Sequence, residues 1–531
     1  MKKISLICSL LLLISSGIFA LEVDKSELQS AENTTIEFIN YTGPHKIIES
    51  ASSIRGIGSS MGQVISKDPQ NSAQTGSAKY RVVHVVDPNE SGKLDADILY
   101  IGSDATVDHV DNLRRIIAGY LASAYGYSDS DANTLAVFIT VYNAVYRGDL
   151  DSYQKKYKNQ VQKNLSKENC GLSVNYKDWP GKSEIVIPLY DVANGGLSTV
   201  DTSVISDSKV VDSMKEDDDR NIESRKEMVD IKERESDQAS QKAQEAQKTA
   251  VQEQKEANVA KEEAKEAQNQ ADQAQKEADQ KQKVADENPD DQEAQQEAQE
   301  AQQEADEKQA QADEKQEVAE EKQAQADQAK EEAKEQQAQA DKKQSEAQSE
   351  RKEIAQDQKE VQQEEAEKAK MPSEYGIILT DETQMLSRLV KFNKETGEII
   401  QNSPVSVIRN RTIYKGAESY FAIAGENANN GTIKLVAIDP ETMEITGETD
   451  LKIAENSMLV QNGSEYICVV DEDGVFHLAK FGEDLALMTK SEIEVKAATP
   501  ITVTETGVVV TGADGKLKLL NNKDFTEGST N

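Results

Sequence analysis

Between Tyr190 and Tyr375 the sequence has no phenylalanine, tryptophan or tyrosine, and between Leu197 and Leu379 it has no leucine. That lack of apolar bulk excludes a globular core in the middle of the chain. Cysteine is nearly as scarce. Cys8 falls in an N-terminal leader, which leaves Cys170 and Cys468, one in each flank. Two such distant cysteines exclude a disulfide framework and a zinc site of ordinary spacing. A single bond between the flanks in an oxidising compartment and two unpaired thiols both stay open. Basic charge is also in deficit: 60 Lys and Arg stand against 97 Asp and Glu, a formal net charge of −37. Such a chain repels nucleic-acid phosphates and anionic lipid, so no nucleic-acid partner is expected. HExxH, G-x-S-x-G, P-loop and G-x-G-x-x-G signatures are all missing, which removes the common enzymes that carry them.

What is present begins with "MKKISLICSLLLLISSGIFALEVD". Lys2 and Lys3 make a basic start, Ile4 to Ile14 an apolar centre and Ser15 to Ala20 a small-residue end, the order of a secretory signal peptide over residues 1–20. Cleavage is expected after Ala20, with Gly17 as the alternative because Ile18 departs from the A-x-A pattern. Cys8 lies too early, inside the apolar centre, to be a lipidation site. No other apolar run is long enough to cross a bilayer, so no transmembrane segment is expected in the mature chain. The protein is expected to be exported, to the periplasm or to the cell envelope or surface.

The middle is built almost wholly from Ala, Gln, Glu, Asp and Lys, as in "EAQQEAQEAQQEADEKQAQADEKQ" from Glu293 to Gln316. Its alanines are ordered. From Ala239 they recur at 243, 246, 250, 257, 260, 264, 267, 271, 274, 278 and 285, in alternating steps of four and three, with Glu253 and Lys281 in the two vacant places. From Ala298 a second series steps by seven through 305, 312, 319, 326, 333, 340 and 347 to Ile354 and Val361. Heptad spacing demands helix, and these residue types are strong helix formers. The two series are out of phase across "DENPDD", Asp286 to Asp291, which holds the segment's only proline. The spacing therefore predicts two helices, roughly 210–287 and 289–370, with Asn288 as N-cap of the second. An antiparallel hairpin and a kinked continuous rod both satisfy it. A seam of methyl groups interrupted by Lys308, Lys315, Lys322, Gln336 and Lys343 buries little, so pairing along it is weak and propensity carries much of the helix. Whether paired or solvated, the segment is a spacer, not a site, and the paired form also allows self-association through it.

The flanks read as folded protein. In 21–191, "KYRVVHVVD" (Lys79–Asp87), "ADILYIGS" (Ala96–Ser103) and "SEIVIPLYD" (Ser183–Asp191) are strands. Val107–Gly126 and Ser128–Gly148 are helices, the second with Ser/Asp caps. "DLDSYQKKYKNQVQKNL" (149–165) is expected as an exposed third helix, and the sole tryptophan, in "YKDWPG", at a turn. Residues 192–235 are expected as a Ser/Asp-rich linker passing into the heptad region 236–370. In 371–531, "YGIILT", "YFAIAG", "YICVVD" and "VVVTGAD" recur at intervals near 44 residues, each followed by a second strand beginning near Arg388, Lys434, Phe476 and Lys516. That period belongs to propeller-like blades, as a small closed ring or an open stack. The fold class is multidomain: a mixed α/β module, a long helical coiled-coil spacer and an all-β module of propeller-like repeats.

Candidate chemistry is sparse. His84 alternates within a strand and reads as a packed core residue. His109 shares a charged helix face with Asp108 and Asp111, His45 follows Gly43-Pro44 in a loop, and His477 stands in a blade strand. "VVHVVDPNESG" ends a strand in Asp87-x-Asn89-x-Ser91, similar to the D-x-S-x-S loop that holds a hard cation in von Willebrand A-type domains. Asn89 departs from that pattern and Pro88 favours a plain turn, so Asp87, Asn89 and Ser91 are noted as candidates and no metal site is assigned. No catalytic or cofactor residue and no cofactor is assigned.

The end-to-end layout resembles the 83/100-kilodalton major antigen family of Borrelia spirochaetes, with a shorter central repeat. The segments most specific for it are "RIIAGYLASAYGYSDSDANTLAVFITVYNAVYRGDLDSY" and "KLVAIDPETMEITGETDL", together with the opening "LEVDKSELQSAENTTIEFINYTGP". The resemblance implies an abundant, immunogenic cell-envelope protein with no assigned enzymatic activity, and it brings no catalytic residues. The expected function is therefore a non-enzymatic structural or interaction protein whose partner is a protein or envelope component. Two alternatives stand beside it: a hydrolase-like enzyme using Asp87, Asp104 and His109, and an adhesin for host matrix.

Overall fold

The computed structural model describes residues 38, 40, 41, 43, 44, 50–68, 73–75, 79–190, 199–427 and 432–528. The leader, its cleavage site and His45 lie outside them. The chain forms two compact units, one of Met1–Ser224 with Asp357–Asn531 and one of Arg225–Gln356. Both flanks thus belong to one unit, and the heptad region is an excursion within it along the sequence.

The N-terminal flank holds α1 (Ala51–Lys67), β1 (Ala73–Thr75), β2 (Tyr80–Val85), β3 (Asp95–Ile101), α2 (Val110–Tyr125), α3 (Asp129–Val145), α4 (Leu150–Lys156), α5 (Asn159–Gln162), β4 (Ser183–Leu189), α6 (Thr202–Ile205) and α7 (Ser208–Lys215). The strands make one antiparallel sheet in the order β1-β2-β3-β4. Every residue of β4 is buried, as its unbroken apolar run requires. Ser128 caps α3 by accepting from Asp131 N, and Gly126 ends α2 in the left-handed conformation at φ 74°.

Two stretches differ from expectation. Residues 149–165 are two short helices, not one exposed helix. At the break, Lys158 N donates to Leu94 O and Leu94 N donates to Lys156 O, so the chain leaves the helix to pair with the β2–β3 loop. Tyr153, Tyr157 and Lys158 are buried there. Much of the expected linker is also packed: Val200, Ile205, Val210 and Met214 are buried, the last three on α6 and α7. These four apolar residues, diluted by Ser and Asp, are enough to fix it.

The C-terminal flank is antiparallel sheet throughout. The four expected hairpins are β5 (Ser373–Asp381) with β6 (Leu386–Asn393), β9 (Tyr420–Ala424) with β10 (Lys434–Ile438), β14 (Glu465–Glu472) with β15 (Val475–Phe481), and β18 (Val508–Thr511) with β19 (Leu517–Leu520). β7 (Ile399–Asn402), β8 (Tyr414–Lys415), β11 (Ile445–Glu448), β12 (Lys452–Ile453), β13 (Val460–Asn462), β16 (Leu487–Glu494) and β17 (Thr502–Val503) complete four sheets. Alternation along the strands sorts the cores. Phe421, Ile423 and Leu435 of the second sheet pack with Tyr466, Cys468 and Val470 of the third. The intervening Ile467 and Val469, with Leu478, pack with Val508, Val510 and Leu520 of the fourth. The third sheet is covered on both faces. Across the fourth, Val509 pairs with Leu519 and Thr511 with Leu517, so these share the other face, where Leu517 is 77% exposed.

The middle is two long antiparallel helices, α8 (Ile222–Glu287) and α9 (Gln292–Lys368), whose Arg225–Gln356 portion is the second unit. Each seven-residue advance along α8 meets a seven-residue retreat along α9: Lys322 pairs with Glu256 at 3.0 Å and Lys315 with Glu263 at 2.7 Å. The hairpin is thus the form taken, not the rod. The alanines spaced by seven, 243 to 285 and 298 to 326 with 340 and 347, are buried, whereas those at 246, 260, 267 and 274 are half-buried. Asp291, not Asn288, caps α9, accepting from Glu293 N and Ala294 N. Asn288 instead donates from Nδ2 to Val284 O at the end of α8, because the turn closes with Asp291 N bonded to Asn288 O. No described helix is long and apolar enough to cross a membrane.

The seam makes a register prediction. Deleting Asn258 alone would bring Lys265, Asp272, Asp279 and Asp286 into the places of Ala264, Ala271, Ala278 and Ala285. Deleting 258–264 together with 313–319 keeps every methyl in phase. The single deletion should lower the melting temperature of the helical circular dichroism signal by on the order of 10 °C. The fourteen-residue deletion should leave it nearly unchanged.

Candidate functional site

The loop "DPNESG" after β2 takes its shape from side chains near it. Asp87 accepts Asn89 N at 2.9 Å, a turn closed on itself, and Asn89 and Ser91 are exposed. Behind it, Lys158 Nζ donates to Asp87 O at 2.8 Å and to the Asp95 carboxylate at 2.9 Å, and both side chains of that ion pair are fully buried. The ammonium stands where a hard cation would bridge the loop to the strand. Among the described residues no group of three or more His, Cys, Asp or Glu is placed to hold a metal ion.

A second polar cluster lies on the same sheet. His84 and Asp97 are direct cross-strand partners on β2 and β3, and His84 Nδ1 meets Asp97 Oδ1 at 2.6 Å. The phenols of Tyr120 and Tyr125, on α2, both donate to Asp97 Oδ2. Burial and then the neighbouring carboxylate push both phenols well above their ordinary pKa, so they remain donors at any physiological pH. An aspartate with a histidine on one oxygen and two phenols on the other has three of its four or so acceptor sites taken by protein groups. That arrangement fixes α2 on the sheet.

The residues of the enzymatic alternative do not converge. His109 Nδ1 caps α2 by accepting from Asp111 N, Asp87 closes its own turn and Asp104 is exposed. Cys170 and Cys468 are both buried; burial raises the Cys468 thiol far above its usual pKa, which makes it unreactive.

Sequence reasoning missed the joint between the two flanks. Glu426, buried just after β9, accepts from Tyr176 OH at 2.6 Å and from Lys177 Nζ at 2.7 Å. Tyr41 OH donates to Thr432 O at 2.9 Å and also bonds Pro44 O, and its ring lies 5.9 Å from that of Tyr176. Asn40 caps α2 alongside, accepting Val110 N at 2.7 Å. Gly43 is needed there, since a Cβ would lie 2.9 Å from Val407 Cγ2 and 3.0 Å from the Gly425 backbone. The one signal in the sequence was the Tyr-x-Gly-Pro run at 41–44, rigid and aromatic within a polar stretch.

A family model described as "Borrelia P83/100 protein" matches residues 25–501. No curated protein matches. Among solved structures, the chain is similar to one titled "Crystal structure of the computationally designed Ika8 protein: crystal packing No.1 in P63", at 14% identity and a TM-score of 0.20. That alignment covers 28% of this chain and 46% of the designed one, less than half its length, and carries nothing about fold or function.

Proposed function

The chain belongs to the Borrelia P83/100 protein family, and from that premise we propose that it is a non-enzymatic protein of the cell envelope. In this reading the unit built from both flanks engages a protein or other envelope component, and the hairpin inserted in its sequence is a structural element. One observation supports it above others. Most polar residues that a catalytic reading would recruit are spent on the fold: Asp87 on a turn, His109 on a helix cap, Asp95 on Lys158, and Asp97 on His84 and two tyrosines, while Asp104 is exposed and apart from them in role. We further read the four C-terminal sheets as propeller-type blades in an open stack, which the 77% exposure of Leu517 on the last sheet favours over a closed ring. Repeated sheets offer an extended face, so the partner is assigned to this flank.

Fractionation of cells tests the reading. The mature protein should travel with the envelope fraction and begin just after the leader; a cytosolic protein that retains Met1 would overturn it. Protease added to intact cells then separates two locations within the reading. Cleavage before permeabilisation places the chain on the surface, as the adhesin alternative needs, and protection until permeabilisation places it in the periplasm.

A further inference from the structure

We propose that the partner docks on the outer face of the fourth C-terminal sheet and covers it with an antiparallel β-sheet of its own. The inference rests on the open-stack reading given above and names what continues the stack.

The four sheets repeat one unit closely enough to be compared place by place. It reads "LVKFNKETGE" from Leu389 in β6, "LVAIDPETME" from Leu435 in β10, "LAKFGEDLAL" from Leu478 in β15 and "LKLLNNKDFT" from Leu517 in β19. The first leucine of the unit looks toward the next sheet. Leu435 packs with the third sheet and Leu478 with the fourth. Leu389 shares a face with its cross-strand partner Ile377 and with Tyr375, whose ring lies 5.1 Å from that of Tyr420 in the second sheet. Those three leucines are fully buried, whereas Leu517 is 77% exposed, with Val509 and Leu519 beside it on the same face. Among the described residues there is no fifth sheet to cover it.

A second feature of the unit shows what a covering sheet must bring. Eight residues beyond the leucine, seven in the third sheet, the chain turns through a left-handed residue: Gly397 at φ 78°, Met443 at 59°, Leu485 at 62° and Phe525 at 57°. A side chain with a Cβ disfavours that conformation, so three bulky residues held in it mark a constraint. Each fills a place on the sheet before its own. Phe525 packs with Ile467 and Val469 of the third sheet, with Lys480 Nζ 5.4 Å from its ring centre. Leu485 joins Phe421 and Ile423 of the second, so close to β11 that a Cβ on Gly447 would lie 3.0 Å from its Cδ1. Met443 is fully buried, and its carbonyl accepts from Ser403 Oγ, just after β7 of the first sheet, at 2.6 Å. The first sheet follows no other sheet of this kind and has glycine in that place. A Cβ on Gly397 would meet nothing within 4 Å.

That pattern selects the occupant. A sheet stacked on Leu517 has to offer an apolar residue from the turn after one of its strands. The first sheet of a second copy has Gly397 there, and Met443, Leu485 and Phe525 are already seated within their own chain. The chain is thus not built to extend its stack with another copy, nor to close it with its own first sheet. The occupant is a sheet of a different protein, which continues the face-to-face packing that this chain makes between its own sheets.

Thiol labelling tests the proposal. Leu517→Cys in the purified mature chain should react with a maleimide as an exposed thiol does, while Cys170 and Cys468 are buried. Glu527, bridged to Leu520, holds the place that Leu487 holds beside Phe481, so repeating residues 488–528 after Glu527 supplies a fifth sheet in phase. The added sheet should slow labelling at position 517 by about tenfold or more, and aspartate in place of its copy of Phe525 should restore the fast rate. Three strands without a cover have no core of their own, so an added sheet that fails to fold is one that fails to dock. In permeabilised cells the natural partner should give the same protection, and a photo-reactive residue at 517 should yield an adduct whose mass is not twice that of the chain. Labelling as fast with the added sheet as without it, or as fast in cells as in the purified chain, would overturn the proposal. So would protection of the purified chain that grows between about 1 and about 100 µM, which would make the occupant a second copy. Slow labelling of the purified chain at the lower concentration would show a closed ring, and the open-stack reading would fail first and this inference with it.

Discussion

Replacing Gly58 by alanine should destabilise the flank-built unit by about 2 to 4 kcal/mol. Helix propensity alone forecasts the opposite sign, because alanine in a helix interior is favoured over glycine by about 1 kcal/mol. Packing decides it. α1 and α2 approach until backbone touches backbone. A Cβ on Gly58 would lie 1.8 Å from Ile116 O, one on Gly62 would lie 2.6 Å from Tyr120 O, and one on Gly119 of α2 would lie 2.2 Å from Arg55 O. None of these obstacles is a side chain that can swing away. The helices must separate, and α2 is the helix that carries Tyr120 and Tyr125 to Asp97. Alanine at Gly56, where a Cβ meets nothing within 4 Å, is the control and should be neutral or slightly stabilising. The only tryptophan gives a selective readout: Trp179 is fully buried in this unit and bonded to Ser173 O, whereas the helical dichroism signal is dominated by α8 and α9. Denaturant melts followed by fluorescence should therefore show the Gly58 loss while the hairpin transition stays in place.

That close packing also explains which parts of the fold the sequence concealed. α1 carries glycine at 56, 58 and 62, a composition that argues against helix by propensity, and nothing local announces that another helix will cover those positions. The elements that could be read were those whose evidence is local. α2 and α3 have apolar spacing and caps, the four β-hairpins have alternation and turn residues, and α8 and α9 have an alanine every seventh place. Alanine periodicity cannot separate a rod from a hairpin, since either leaves the same stripe. Cross-helix pairs such as Lys322–Glu256 and Lys315–Glu263 settle it, and their partners lie over fifty residues apart. The candidate site was legible only in outline. His84 could be read as a packed histidine from its place in a strand, but its partner Asp97 follows from the register of two strands. Asp95 and Asp97 within "DADILYIG" did carry a signal: acidic residues in a strand that is otherwise apolar need buried partners. The Glu426 joint was beyond reach, because Tyr176 and Glu426 are 250 residues apart and meet only in the folded unit.

Removing the Asp97 carboxylate should cost more than any single hydrogen bond in the unit. Asp97→Ala leaves two buried phenols and a histidine ring nitrogen without their common acceptor, and it opens a space between β3 and α2. Orphaned buried polar groups cost about 1 to 3 kcal/mol each, less what relaxation recovers, so a loss of about 3 to 5 kcal/mol is expected by Trp179 fluorescence. Asp97→Asn keeps the shape and one acceptor oxygen for the phenols but turns an N–H toward His84, which must then present an unprotonated nitrogen. Its cost should be nearer 1 to 2 kcal/mol. Tyr125→Phe removes one donor and leaves the carboxylate served by His84 and Tyr120, so about 1 kcal/mol is expected. The ordering Ala, then Asn, then Phe tests whether the cluster holds α2 to the sheet. If Asp97 were instead a working residue of an enzyme, its position would carry functional strain, and substitution there would leave stability unchanged or raise it. A stabilised Asp97→Ala chain would therefore reopen the enzymatic reading and remove the main support for a structural one.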